Sequence, residues 1–361
     1  MIRIEHLTKK AEDGHLILKD ISLHISPGEI ISVIGPSGCG KSTLLRCLNA
    51  LSRPTSGKVF VDGEDIFSRE ADLPLIRRKV GMVFQQFNTF RHLSVLENVM
   101  LGPLKLLKKD RGEAEAEARE LLRSVGLGEK AHVMPDRLSG GELQRVEIAR
   151  CLAMHPEIIL FDEPTSALDQ VMENEVLGVI SALAKKGMTM VIVTHNLEFA
   201  RKVSTRVLFM HGGEVCEDGT PEDIFAHPKQ TLTQIFIRSY SSLLFDITSK
   251  GYDLYKMNAR IEWFCSRYHL GQRYFTLELL VEEFLTKLLP FSGDIHIRIF
   301  IDDGKEVVVE IEQEHYSAEI LGDEAQDEIS LMIVQGLCSS MEETALGDSR
   351  LIHLILANRP D

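Results

Sequence analysis

One eight-residue stretch constrains the chain more than any other: Gly35-Pro36-Ser37-Gly38-Cys39-Gly40-Lys41-Ser42, followed by Thr43 and preceded by the apolar residues Ile30, Ile31, Val33 and Ile34. It fits G-x-x-x-x-G-K-[ST] at every fixed position. Glycines at 35, 38 and 40 let the backbone turn so that successive N–H groups point into one concavity, and a helix starting near Lys41 aims its positive end there. Such a loop cradles phosphate: Lys41 supplies a point charge for the outer phosphates and the Ser42 hydroxyl a ligand for Mg²⁺. A chance glycine-rich turn also satisfies so short a pattern, so the reading rests on what the chain places around it.

Three further apolar segments end in polar side chains. Val80 to Phe84 runs into Gln85-Gln86, and an amide there can ligate Mg²⁺ or orient water without competing for phosphate charge. Ile158 to Phe161 runs into Asp162-Glu163, and Met188 to Val193 into Thr194-His195. Ligands of open α/β sheets bind beyond the carboxyl ends of the strands. Asp162 is therefore expected in the Mg²⁺ shell, Glu163 beside the attacking water, and the His195 imidazole against a terminal phosphate. Paired acids after a strand also serve as helix caps, and a histidine at a strand end is often only a surface residue. Leu138-Ser139-Gly140-Gly141-Glu142 adds a second candidate anion site, with Ser139 as N-cap and two glycines at a helix start. It has no lysine and would hold phosphate weakly alone.

Length and charge divide the chain. At 361 residues two domains are expected. Residues 1–240 carry 30 basic against 32 acidic side chains and the remainder 10 against 22, so the tail holds most of the net charge of −14. That imbalance argues against nucleic acid or anionic lipid as a partner. No run approaches 18 apolar residues, and MIRIEHLTKK lacks the apolar core of a leader, so a soluble intracellular chain is expected. The six cysteines form no C-x-x-C pair and read as reduced thiols.

The five motifs, in this order, resemble the ATP-binding subunits of ABC transporters: GPSGCGKS, Gln85, LSGGELQR, IILFDE followed by Ser166-Ala167-Leu168-Asp169, and His195. VFQQFNTF, SVLENV, LFDEPTSALD and TMVIVTHNLEFA are similar to the subunits that energise uptake of polar amino acids in bacteria. The resemblance implies an α/β ATPase domain over 1–240 with a mixed sheet and a helical subdomain at about 88–150. It also implies a head-to-tail homodimer with two ATP between the copies, Ser139, Gly140 and Gly141 of one copy covering the γ-phosphate held by Lys41 of the other. Glu163 would be the general base, Asp162, Gln85 and Ser42 the Mg²⁺ ligands, His195 the γ-phosphate sensor, and Asp169 the coupling residue between copies. Membrane permease subunits, a solute-binding protein and a peripheral site on the inner face of the cell membrane follow from the same resemblance. The alternative is a soluble regulatory ABC ATPase acting on an intracellular partner. Four departures stand out: Lys9-Lys10-Ala11-Glu12 lacks the aromatic that usually stacks on adenine, for which His15 is a candidate substitute, Glu142 and Glu147 put acids on the signature helix, and Gln170 sits where proline is frequent.

From 246 to 361 a smaller acidic α+β domain is expected. Leu254 to His269 and Phe275 to Leu289 are amphipathic helices. Ile295, Ile297, Ile299 and Ile301 alternate up to a turn at Asp302-Asp303-Gly304, and Val307, Val309 and Ile311 alternate beyond it. A helix (Glu328 to Leu337) and a strand (Leu351 to Leu356) follow. The order is similar to the histidine-kinase-like ATPase domains of anti-sigma factors, but Lys287 replaces their Mg²⁺-binding asparagine and Glu312-Gln313-Glu314-His315 their nucleotide loop. The expectation is a module that binds a regulatory protein or small ligand.

Overall fold

A computed structural model describes the chain except for residues 86, 241, 249–250, 269, 272, 289–293, 302–305, 315–324 and 358–361. The expected turn at Asp302-Asp303-Gly304, Gln86 and His315 thus lie outside the described residues. The chain divides into Met1–Gln234 and Ile235–Asp361.

The first unit begins with β1 (Ile2–Lys10) and β2 (Leu16–Ile25), then β3 (Ile30–Ile34) and α1 (Lys41–Leu48). β4 (Ser56–Val61), β5 (Glu64–Asp65), α2 (Leu73–Lys79) and β6 (Val80–Val83) follow. A helical insertion holds α3 (Val95–Lys105), α4 (Arg111–Ser124) and α5 (Gly140–Leu152). The chain returns through β7 (Ile158–Asp162), α6 (Gln170–Lys185), β8 (Thr189–Val193) and α7 (Leu197–Val203). It closes with β9 (Arg206–His211), β10 (Glu214–Gly219), α8 (Pro221–Phe225) and α9 (Thr231–Tyr240), the last of which carries the chain across the division.

Six strands form a mixed sheet in the order β10-β9-β3-β8-β7-β6, parallel except for β9 with β10. An antiparallel sheet, β2-β1-β4-β5, accompanies it. The central strands β3, β7 and β8 are apolar apart from Ser32, Asp162 and Thr189, because both faces are covered. Ile31, Val33, Ile158, Leu160, Val191 and Val193 enter the core that packs on β1, β2 and α1. Their neighbours Ile30, Ile159, Phe161, Met190 and Ile192 enter the core shared with the helical insertion and α6. Parallel pairing brings the carboxyl ends of β3, β6, β7 and β8 to one edge of the sheet.

The second unit starts with β11 (Ser242–Ile247), α10 (Leu254–Arg267) and α11 (Arg273–Glu283), which runs on as one π-helical turn, Phe284–Leu288. β12 (Ile295–Ile301), β13 (Val307–Gln313), α12 (Ala325–Leu337), β14 (Cys338–Leu346) and β15 (Ser349–Leu356) complete it. The strands form an antiparallel sheet, β11-β12-β13-β15-β14. Ile295, Ile297, Ile299, Val307, Val309, Ile311, Ile352 and Leu354 pack on Ile261, Phe264, Leu277, Leu280 and Phe284. The sequence pattern anticipates β12, β13 and β15 but omits β11 and β14, which form the two edges. The fold is α/β with an added α+β unit, as expected.

Candidate functional site

The loop between β3 and α1 takes its shape from contacts no side chain would permit. A Cβ on Gly35 would fall 2.0 Å from the carbonyl oxygen of Met210, and Gly35 has φ +144°. Gly40, at φ +103°, is the residue before the first turn of α1. The loop is thus drawn against β9, and the first N–H groups of α1, which no helical carbonyl can accept, face the mouth. Lys41 is 4% exposed, and its Nζ donates to the carbonyls of Gly35 at 2.7 Å and Pro36 at 2.9 Å. That ties the charge to the loop it serves. Pro36, Ser37, Gly38, Cys39, Ser42 and Thr43 complete the stretch, with Cys39 buried and its thiol pushed up by burial.

β7 delivers Asp162, which is 2% exposed. Burial raises its carboxyl against the pull of a hydrogen bond with the Ser42 side chain and of Arg46, whose Nη2 lies 3.8 Å away. Asp162 Oδ1 is buried with no hydrogen-bond partner among the described residues. A buried carboxylate oxygen beside a serine hydroxyl and a phosphate loop fits a hard divalent cation: Asp162 and Ser42 would hold Mg²⁺.

Glu163 follows with φ +49°, a left-handed conformation unusual for a side chain of this size, held by donation of its N–H to the Val193 carbonyl at 3.0 Å. Its Oε1 lies 2.8 Å from His195 Nε2. That hydrogen bond holds the Glu163 carboxyl below the usual range, against burial. The two expected groups therefore meet, although they end different strands.

A second bridge closes the same edge and is invisible in the motif pattern. Glu173 Oε1 accepts from Thr165 Oγ1 at 3.2 Å and Asn196 Nδ2 at 3.0 Å, so the loop after Glu163 and the loop after His195 share an anchor on α6. Asn196 also caps α7 by accepting from the Phe199 N–H at 2.8 Å. A polar residue just before a helix is the one sequence signal that could have singled it out. Asp169 caps α6 in the same way, accepting from the Met172 N–H at 2.9 Å.

Gln85 lies past the end of β6, exposed. The residue before it is fixed by the signature helix: Gln144, fully buried, donates from Nε2 to the Phe84 carbonyl at 3.1 Å. At the start of that helix Ser139 and Glu142 form a capping box, Ser139 Oγ accepting the Glu142 N–H at 3.3 Å and Glu142 Oε2 the Ser139 N–H at 3.0 Å. Glu142 therefore acts as a cap. Gly141 is required by packing, since a Cβ there would meet Met172 Cβ at 2.9 Å, and Gly140 lies as close to Leu168. Among the described residues no hydrogen bond joins Ser139 to Lys41. His15, in the turn between β1 and β2, is 64% exposed and bonded through Nδ1 to Asp13 Oδ1 at 2.6 Å.

The four strand ends, the glycine loop and the capped signature helix define a nucleotide-binding cassette. The ABC transporter family profile matches residues 18–166. The arginine transport ATP-binding protein ArtM of Bacillus subtilis (strain 168) is 50% identical over 237 residues, 66% of this chain and 98% of that protein. The glutamine transport ATP-binding protein GlnQ of Escherichia coli (strain K12) is 52% identical over 225 residues, 62% of this chain and 94% of that protein. Among solved structures, the ATP-binding cassette MJ0796, as a post-hydrolysis dimer bound to ADP and Pi, matches with TM-score 0.55 and 38% identity. That match covers 61% of this chain and 99% of the other. This chain belongs to the ABC transporter family, as an ATP-binding subunit.

Proposed function

We propose that the chain is the ATP-hydrolysing subunit of an ABC importer for polar amino acids. Its relatives are named as arginine, glutamine and L-cystine transport subunits. The observation that carries the catalytic part is the meeting of Glu163 and His195 at 2.8 Å beside the orphaned oxygen of Asp162. Lys41, the loop from Gly35 to Thr43 and the α1 N-terminus bind the phosphates. Asp162, Ser42 and Gln85 would hold Mg²⁺, which would supply charge neutralisation for the transferring group. Glu163, kept ionised, accepts a proton from the attacking water, and His195 orients it and meets the γ-phosphate. Phosphoryl transfer of this kind rests on positioning and charge stabilisation.

Ser139, Gly140 and Gly141 complete the site in a second copy, and Asp169 couples the copies. A homodimer agrees with the dimeric form of MJ0796. The closure passes to separate membrane permease subunits through the segment after Gln85, which borders a groove of about 490 Å³ lined by Asn88, Phe90, Leu101, Lys105, Glu147 and Arg150. No helix among the described residues is long and apolar enough to cross a membrane. A solute-binding protein delivers the amino acid, and the cassette sits peripherally on the cytoplasmic face. The domain boundaries follow the same reading: a cassette over 1–240 with a helical subdomain at 88–150, and a regulatory module over 246–361 that binds a protein or small ligand.

The test is Mg·ATP hydrolysis by the full chain, alone and with its permease. Replacing Glu163 by Gln is expected to lower turnover by about 10²-fold or more. Unchanged turnover in that variant, or none in the wild type with its permease, would refute the reading. Truncation before residue 246 is expected to leave basal turnover and change its regulation.

A further inference from the structure

The signature helix offers an anion site with an acid built into it. Glu142 is the third residue of α5, whose N-terminal N–H groups are the proposed contact for a γ-phosphate. A carboxylate there favours the helix dipole but repels any phosphate using the same positive end. This chain places a cation on that carboxylate. Lys130, from the 3₁₀ turn Gly128–Lys130, donates from Nζ to Glu142 Oε1, while Oε2 accepts the Ser139 N–H at 3.0 Å. Burial pulls the Glu142 carboxyl upward, but Lys130 and the Ser139 N–H together hold it below the usual range. Arg145, one turn along α5, pairs with Glu175 at 3.1 Å and adds only a smaller pull on the Glu142 carboxylate than Lys130 does. The Ser139 oxygen is occupied as acceptor of the Glu142 N–H, so its O–H proton remains to be donated to an anion.

We infer that Lys130 is a positioning residue for ATP-driven pairing: by neutralising Glu142 it lets Ser139 and the start of α5 receive the γ-phosphate of an ATP bound by a second copy. The inference rests on the proposed trans site. Without the ammonium, the carboxylate keeps its hold on Ser139 but loses its hydrogen-bonded cation, leaving only the weaker pull of Arg145 against a negative charge at the start of the helix that is to receive the phosphate. In a partly buried setting, roughly a tenfold loss of apparent ATP affinity follows. Lys130 touches no nucleotide in this reading; it acts through Glu142.

The experiment compares wild type, Lys130→Ala, Lys130→Arg and the double variant Lys130→Ala with Glu142→Gln, all full length. Hydrolysis gives KM and kcat for Mg·ATP. Light scattering in a Glu163→Gln background gives the ATP concentration for half-maximal dimerisation. Lys130→Ala is expected to raise KM and that concentration about tenfold with a smaller change in kcat, and the defect should shrink as salt is raised. Arginine should restore both. The double variant should also restore them, because the glutamine oxygen still accepts the Ser139 N–H and no charge is left to neutralise. Wild-type behaviour of Lys130→Ala would overturn the inference. So would a double variant as impaired as Lys130→Ala, since that result makes the lysine a mere tether. If the wild type neither hydrolyses ATP nor pairs, the trans site itself fails and this inference falls with it, a result seen before any variant is measured.

Discussion

His195 Nε2 stands 2.8 Å from Glu163 Oε1, so the residues that follow β8 and β7 act directly on one another. The bond holds the Glu163 carboxyl below its ordinary range. A depressed carboxyl stays ionised as pH falls, so activity should persist into mildly acid conditions. His195→Ala removes the largest cause of that depression and the orienting partner together. Turnover is expected to fall by about 10²-fold, and the acid limb of the kcat–pH profile to move to higher pH. A profile that keeps its acid limb would show that the bond does not tune Glu163.

Gln144 couples the signature helix to the segment that leads from β6 to Gln85, through its bond to the Phe84 carbonyl at 3.1 Å. Gln144→Leu keeps the volume and leaves that carbonyl without its donor, at a cost of about 1–3 kcal/mol. The expected signature is a lowered melting temperature together with a loss of permease-stimulated turnover that exceeds the loss of basal turnover. Equal losses in the two would make Gln144 a stability residue alone.

Glu147 is 6% exposed, and burial pushes its carboxyl up to about 7 against the pull of Arg150. A raised carboxyl binds a proton in the folded chain that the unfolded chain has already released. Stability therefore falls as pH rises from the ordinary glutamate value of 4.5 to about 7. Glu147→Gln keeps an acceptor for the Asn88 N–H and abolishes the charge. At pH 5 its melting temperature should match the wild type, and at pH 8 it should lie roughly 5 °C higher. A pH-independent difference would place the effect in packing.

The phosphate loop, Asp162, Glu163 and His195 were legible because strands buried on both faces are predominantly apolar and lead into polar residues or the glycine loop. The parallel order then brings those ends to one edge. Glu142 was noted only as a departure from the family resemblance, and its part as the reciprocal half of a capping box with Ser139 emerges in the structure. The roles of Gln144 and Glu147 were not legible either: their partners lie 60 and 59 residues away, and nothing local distinguishes a buried glutamine from a solvated one. β14 escaped notice because Ser339, Ser340, Glu342, Glu343 and Thr344 put polar groups on both faces of an edge strand, erasing the alternation. β11 follows α9 almost directly, with no proline or glycine to mark the change of period.

Asn98 holds the segment that follows Gln85. It is 1% exposed, and its Nδ2 faces the carbonyls of Phe90, Leu93 and Ser94, each at 3.0 Å, while Oδ1 accepts the Phe90 N–H at 2.8 Å. The Arg150 guanidinium lies 4.8 Å from the centre of the Phe90 ring and donates to the Asn88 carbonyl at 2.6 Å, pinning the same segment from α5. Asn98→Ala leaves these groups partly unpaired and should cost about 3 kcal/mol. Asn98→Asp is nearly isosteric but turns a donor toward three carbonyl oxygens into a second acceptor, so it should be worse than alanine. That order reverses what size alone predicts, because alanine leaves the larger void. Chemical denaturation of the three proteins decides it: a more stable aspartate variant would mean that the Nδ2 contacts contribute little and that filling the site is what matters.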